Sequence, residues 1–437
     1  MSNVNKGPEE AQRGCGENRT GKFPAELSAV NGSPEDSRAG SQWHCVLGAV
    51  AVLSVFAVLC EARLWRIGEV FTISENIQIA EAQAWWEGRL DLPERKWDSA
   101  LFNGRVYSHF PPMFSFIAAA FTPWFDGVPH WAVVLFTALS IPILAYVLFL
   151  RRTNSVMWAF VLSIALLFGT SLYPVLDKTI RGASPYFVNQ SLAVAGLLIF
   201  LNEYYGRRRV WPMGAGIVVA ALSRQLTLAY VIPFCWATRR QERTKATGGT
   251  IAIVCLTGAI AIGIPLLLNW LKFQHPLDSG YMHIYNDRPE DGFSRDAQSF
   301  GLFSAHYVPR NLYYANIGFP NLHRIEIDGV ERSFIRPNIW GTGIWWTTPL
   351  LLWVIVELRR IWREPADRAI LLAALLANVA LLFYHSTGYQ QRGFNRYSLD
   401  YLPAILVLVA PTSCVGWRRW TSLGMVAWSV LYFRWLI

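Results

Sequence analysis

The residues best suited to chemistry in this 437-residue chain are acids and arginines at the edges of apolar runs. Glu75 lies in Thr72-Ile-Ser-Glu-Asn-Ile-Gln-Ile-Ala-Glu-Ala-Gln-Ala-Trp-Trp-Glu-Gly, just after an apolar stretch. A carboxylate at such a junction can take a proton from an acceptor hydroxyl. It can equally do no more than favour the amino terminus of the helix that follows. The spacing of Ile73, Ile77, Ala80 and Ala84 predicts that helix as amphipathic and resting on the membrane, with Ser74 as cap and Gly88 as stop. Arg224 stands at a turn between two short apolar segments, where a cation is costly and usually paired. Its guanidinium can grip phosphate oxygens with two parallel bonds and cannot lose its charge; the plainer role is to meet phospholipid headgroups. Arg392 and Arg396, in Tyr389-Gln-Gln-Arg-Gly-Phe-Asn-Arg-Tyr, form another polar island with Asp400. It either receives an anion or pairs arginine with Asp400 to hold two helices together.

The elements that carry these groups are membrane helices. The chain is 53% hydrophobic and only 16% charged, against about 25% in soluble domains. Its net charge of +9 is concentrated in short clusters between apolar runs, which fits loop cations that orient a polytopic membrane protein and argues against nucleic acid. Roughly 20 apolar residues cross a bilayer, and this predicts an all-α polytopic fold of about 11 spans. They fall near 45–65, 128–150, 155–175, 186–205, 210–222, 226–238, 249–272, 341–358, 369–385, 401–416 and 420–437. The clusters Arg151/Arg152, Arg207–Arg209, Arg239–Lys245, Arg359–Arg363 and Arg418/Arg419 then share the cytoplasmic side, provided that 210–238 is two short helices turning at Ser223-Arg224 and that Met113–Phe125 lies at the interface or re-enters without crossing. Residues 1–43, polar and without apolar periodicity, read as a disordered cytoplasmic tail, and 44–437 as one membrane domain. External loops fall at about 66–127, 274–340 and 386–400.

Within those loops, Asn103-Gly104 between Leu101-Phe102 and Arg105-Val-Tyr107 predicts a tight hairpin, and Arg324-Ile-Glu-Ile-Asp-Gly-Val-Glu-Arg a second one. His109-Phe-Pro-Pro turns the chain back to the bilayer, in its plainer role as an interfacial anchor. The six cysteines contain no CxxC pair, and no HExxH, Walker loop or GxGxxG occurs. Disulfide scaffold, zinc protease, ATPase and dinucleotide enzyme are therefore unsupported.

Several segments together resemble the GT-C class of integral membrane glycosyltransferases, which includes protein O-mannosyltransferases and the lipid A aminoarabinose transferase. They are the carboxylate after the first span, the Gly104-Arg-Val-Tyr107 turn, His109-Phe-Pro-Pro, and Asn269-Trp-Leu-Lys-Phe-Gln-His-Pro-Leu-Asp-Ser-Gly-Tyr. Phe303-Ser-Ala-His-Tyr-Val-Pro-Arg, Gly341-Thr-Gly-Ile-Trp-Trp-Thr-Thr-Pro and Arg396-Tyr-Ser-Leu-Asp-Tyr-Leu-Pro extend the likeness over about 45–412. The resemblance implies an inverting transfer of a sugar from a polyprenyl-phosphate donor to an envelope glycan, lipid or protein acceptor on the periplasmic face of a bacterial inner membrane. It implies a carboxylate base, Glu75 or another external-loop acid, with Asp177 as a second acid in the next external loop ahead of Asn189. It also implies arginines (Arg224 with Arg392 or Arg396) that offset charge on the departing phosphate. Tyr107, His109 and Asn189 would contact substrate. No metal is demanded, since arginine can supply the positive charge. This chain has Ser74-Glu75 where the family usually has Asp-Glu, so either Glu75 takes the role or another acid such as Asp91 or Asp98 does. Two other classes stay open: a lipid-linked saccharide transporter, and a non-catalytic scaffold derived from such enzymes.

Overall fold

A computed structural model describes residues 46–55, 68–72, 74–96, 98–182, 184–245, 248–288, 290, 292–327, 330–338, 340–385 and 393–436. The tail expected over 1–43 and the arginine at 392 lie outside them. In chain order the principal elements begin with α1 (Val46–Val55), β1 (Val70–Phe71), α2 (Ile77–Trp86), β2 (Ala100–Phe102), β3 (Arg105–Tyr107), α3 (Met113–Phe125) and β4 (Val128–Pro129). The long helices follow: α4 (His130–Thr153), α5 (Val156–Phe168), α6 (Leu172–Gly182), α7 (Pro185–Tyr204), α8 (Val210–Ser223), α9 (Val231–Lys245) and α10 (Gly248–Phe273). Next come α11 (Tyr281–Asn286), α12 (Gly292–Phe300), β5 (Asn321–Ile327), β6 (Val330–Arg336), α13 (Pro365–Phe383), α14 (Leu402–Ser413) and α15 (Arg418–Leu431).

The chain is an integral membrane protein. Among the described residues α4, α7, α10 and α13 are long and apolar enough to cross a bilayer, and α5 with α6 makes a fifth candidate bent by 64°. Eleven spans are not reached by this measure, because several expected runs are broken. Pro349 splits the stretch after Gly343 into the short turns Ile344–Thr347, Pro349–Leu352 and Trp353–Val356. The stretch after Arg224 opens as a tight 3₁₀ turn, Gln225–Tyr230, before α9. The apolar stretch at 113–125 forms α3, whose 13 residues span about 20 Å and fall short of a ~30 Å hydrocarbon core.

α7 is the central helix. Gly196 on α7 and Gly216 on α8 let the two backbones meet: a Cβ on Gly196 would fall 2.6 Å from the Ala220 nitrogen, and one on Gly216 would fall 2.7 Å from the Gly196 carbonyl. Small residues at such crossings allow the close packing that membrane helices rely on. α10 behaves differently, with little of its surface covered by protein, so it presents Leu267, Trp270 and Leu271 outward.

Three of the basic clusters meet at one end of this bundle. Arg152 and Arg360 both bond Asp367 at the start of α13, at 3.1 and 2.9 Å. Glu357 joins Arg360 to Arg418, and Tyr205 donates to Asp367 at 2.9 Å. The last turn of α7 lies here, with the Tyr204 hydroxyl on the Ala366 carbonyl. Its first turn is therefore some 30 Å away, at the other end, and the loop elements gather around that end.

The two expected hairpins are present. Ala100 pairs with Tyr107 and Phe102 with Arg105, and Asn103 and Gly104 both take the positive φ that a two-residue turn requires. The second hairpin pairs Asn321–Ile327 with Val330–Arg336. The helix after Glu75 departs from expectation. Asn76, not Ser74, caps α2 by accepting from the Gln78 nitrogen at 2.7 Å. Nor does α2 rest on a surface: Ile77 through Ala82 and Ala84 are all buried, the polar Gln78 and Glu81 included. Pro111, Ser115 of α3 and Lys272 of α10 cover the face that the apolar spacing had assigned to solvent.

Candidate functional site

A cavity of about 300 Å³ opens beside the first turn of α7. Each part of its wall comes from a different segment. The strand-entry turn before β2 supplies Asp98, the segment after β3 supplies His109, and α7 supplies Tyr186 and Asn189. The end of α8 supplies Arg224, α11 and the residues after it supply Tyr281 and Arg288, and the segment before α14 supplies Arg396 and Tyr397.

Three arginines face this space, and they are satisfied differently. Arg224 ends α8 and is locked to Asp400, with Nη2 to Oδ2 at 2.8 Å and Nε to Oδ1 at 3.2 Å, while its guanidinium lies 4.6 Å from the Tyr397 ring centre. Asp400 is fully buried and also accepts from Gln190 at 2.9 Å. The arginine–Asp400 pair expected within 389–400 is thus made by Arg224 instead of Arg396. Arg288 donates to Asp98 at 3.0 Å. Arg396 is 9% exposed and, among the described residues, has no carboxylate within ion-pairing reach. Its Nη2 donates to the Tyr397 hydroxyl at 3.1 Å, and its guanidinium lies 4.9 Å from the Tyr186 ring and 5.4 Å from Phe187. Its Nε has no hydrogen-bond partner among the described residues. A guanidinium keeps its charge when buried, and its fork of donors can bind an anion.

Asp98 is the carboxylate on the cavity wall, in the left-handed region at φ 63°, which aspartate visits more readily than most side chains. Burial pushes its carboxyl pKa above the usual range, against the pull of the Arg288 and Arg396 charges. His109 is pushed down to about 3 by burial and then by the charge of Lys272, so its imidazole is neutral. Burial raises the Tyr281 hydroxyl to about 12, which keeps it a hydrogen-bond donor. His109 Nδ1, Asn189 Oδ1 and Ser294 Oγ, all buried on this wall, have no hydrogen-bond partner among the described residues. Buried polar atoms are normally paired, so the wall offers unspent donors and acceptors to a polar guest. A smaller pocket of about 100 Å³ adjoins the first. It shares Arg224, His109, Tyr281 and Tyr384 with it and adds the apolar Leu226, Leu302, Phe303 and Leu381.

Of the residues read from the sequence, Arg224, Arg396, His109 and Asn189 come together here, with Asp98 from among the alternative acids. Glu75 does not reach the cavity wall. It is exposed in the loop ahead of α2, where its carboxylate accepts from the Thr72 nitrogen at 2.8 Å. Asp177 is likewise outside, bonded to Arg181 one turn on at 2.7 Å. Tyr107 is buried in the hairpin against Phe273, with ring centres 5.6 Å apart. Sequence reasoning missed Arg288, Tyr281 and Tyr384. Tyrosines in external loops carry no signal that separates them from interfacial residues. Among the described residues, no cluster of three His, Cys, Asp or Glu is arranged to hold a metal ion.

No protein-family model matches the sequence, and no curated protein matches it. Solved structures do. The chain is similar to ArnT from Cupriavidus metallidurans bound to undecaprenyl phosphate, with 15% identity, a TM-score of 0.40, and 86% of this chain and 61% of that one covered. The same protein in its apo state gives 14% identity and a TM-score of 0.40 over 88% of this chain and 62% of that one. The apo oligosaccharyltransferase from Archaeoglobus fulgidus gives 12% identity and a TM-score of 0.44 over 90% of this chain and 55% of that one. The chain thus spans about three-fifths of the length of the solved structures it matches.

Proposed function

We propose that this chain is a membrane glycosyltransferase that moves a sugar from a polyprenyl-monophosphate carrier to an acceptor hydroxyl. The carrying observation is Arg396, a buried guanidinium that faces the cavity without a carboxylate partner among the described residues. Asp400 offsets Arg224 and Asp98 offsets Arg288. Among the described residues one cation on the wall is then left over, which matches the single negative charge of a phosphodiester-linked sugar. The adjoining pocket, where Leu226, Leu302, Phe303 and Leu381 lie near Arg224, supports a hydrocarbon carrier, because its apolar residues would let a prenyl chain lie beside its own phosphate.

In this reading the acceptor oxygen attacks the anomeric carbon while the carbon–oxygen bond to phosphate breaks. The acceptor proton passes to a carboxylate, and the electron pair leaves with the phosphate, whose growing charge Arg396 and Arg224 stabilise. Attack opposite the leaving group inverts the anomeric centre. Asp98 is the base favoured by the geometry: it is on the cavity wall, and burial makes its carboxylate more basic. Glu75 is exposed, bonded to Thr72 and away from the cavity wall. With the arginine-rich end of the bundle on the cytoplasmic side, the cavity opens to the periplasmic face of a bacterial inner membrane. The acceptor is then an envelope glycan, lipid or protein.

The test is direct. Purified chain in lipid nanodiscs is given a radiolabelled sugar on polyprenyl monophosphate, together with envelope extract as acceptor. Release of polyprenyl phosphate coupled to labelled product, lost in Arg396→Ala, is the expected result. Label that crosses the bilayer still attached to its carrier would support a transporter instead.

A further inference from the structure

A chain of buried polar side chains runs from α10 to the cavity, and the chemistry above makes no use of it. Lys272, at the end of α10, is 5% exposed and forms an ion pair with Glu81 of α2, which is fully buried. Lys272 also donates to the Ser108 carbonyl at 3.0 Å. The other carboxylate oxygen of Glu81 accepts from the Ser115 hydroxyl at 2.5 Å. Gln78, one turn earlier on the same face of α2, donates to the Pro111 carbonyl at 2.8 Å. Its own carbonyl accepts from Asn189 Nδ2 at 2.9 Å.

The two main-chain carbonyls held in this way, those of Ser108 and Pro111, bracket His109 and Phe110. Each end of the bracket leads to a partnerless atom on the cavity wall, His109 Nδ1 on one side and Asn189 Oδ1 on the other. A buried ion pair is rarely more stable than apolar residues of equal volume, and its best-attested use is to select one geometry. Here it joins three segments that have no neighbouring sequence: α2, the turn before α3, and the end of α10.

We infer that Glu81 and Lys272 are positioning residues, which fix the Ser108–Pro111 turn so that His109 and Asn189 present one nitrogen and one oxygen to hydroxyls of the bound sugar. The inference rests on the reading of the cavity as a sugar-transfer site. The pair touches no substrate and acts only through the turn and through Gln78.

The test compares wild type with Lys272→Met/Glu81→Gln, which removes both charges together, and with Lys272→Arg, which keeps charge and donors. Turnover of the double variant should fall about a hundredfold, the scale of a 1 Å misplacement, while binding of polyprenyl phosphate is unchanged. Adding His109→Ala should cost nothing further, since both changes remove the same interaction, and Lys272→Arg should restore most of the rate. Losses that multiply would overturn the inference. A second readout needs no turnover: the His109 ring signal in proton–carbon NMR, identified by its absence in His109→Ala, should shift in the double variant. An unmoved signal overturns the positioning role whatever the chain transfers. A shifted signal in a chain that transfers nothing upholds that role and overturns the functional reading alone. If the double variant does not fold, Gln78→Met removes the Pro111 and Asn189 bonds without touching a charge and carries the same comparison.

Discussion

Arg224 and Asp400 stand 176 positions apart in the chain and meet in a two-pronged ion pair, 2.8 Å at its shorter contact. The carboxylate is fully buried, and the arginine side chain is 19% exposed. Removing one partner of such a pair leaves the other charged and desolvated, at a cost of about 3–5 kcal/mol. Arg224→Met should therefore lower the unfolding temperature in detergent markedly. Arg224→Met/Asp400→Leu should recover much of that loss, because no buried charge remains. If both variants melt alike, the pair does not hold the α8 end to the segment before α14.

Arg396 should behave in the opposite way. With no carboxylate partner among the described residues to abandon, Arg396→Ala is expected to leave the melting temperature nearly unchanged. It should weaken binding of polyprenyl phosphate about tenfold to a hundredfold, the value of a charge-assisted hydrogen bond of roughly 1.5–3 kcal/mol. Arg396→Lys should recover only part of this, since an ammonium lacks the planar face that stacks on Tyr186 and Tyr397. Lipid-phosphate titration by intrinsic tryptophan fluorescence reads both effects.

The two acids should separate cleanly. Asp98→Asn removes the proton acceptor and should lower turnover by about 10²–10⁴, whereas Glu75→Gln should keep it near wild type. Asp98 must be ionised to work, and burial raises its pKa. Activity is therefore lost as pH falls, and the loss should begin at a higher pH than for an exposed aspartate of pKa about 3.9. The acid limb of the kcat/KM profile measures this. Full activity in Asp98→Asn would return the assignment to another acid.

What the sequence made legible has a physical pattern. The 100–107 hairpin was readable because Asn-Gly is a local instruction, complete within four residues. Arg224 and Arg396 were readable because a cation between apolar segments is costly anywhere, whatever its partner. Asp98 could be named only as one acid among several, because its significance depends on Arg288, which is 190 positions away. The helix after Glu75 shows the limit of periodicity. Ile77, Ala80 and Ala84 do mark an apolar face, but Gln78 and Glu81 on the other face are buried by Pro111, Ser115 and Lys272, whose approach no local pattern records.

His109 ties the site to the stability of the whole fold. Burial and the nearby Lys272 charge hold its folded pKa at about 3, against 6.5 for an ordinary histidine. The unfolded chain therefore binds a proton below about pH 6.5 that the folded chain refuses until about pH 3. The stability tied to the neutral ring is fully present above pH 6.5 and is lost progressively as pH falls through that window. His109→Gln, which carries no titrating ring, should flatten this part of the profile: wild type and variant should differ less in melting temperature at pH 4.5 than at pH 7.5. Parallel curves across that range would mean that His109 titrates alike in the folded and unfolded chain, and that its imidazole is not held neutral at the cavity wall.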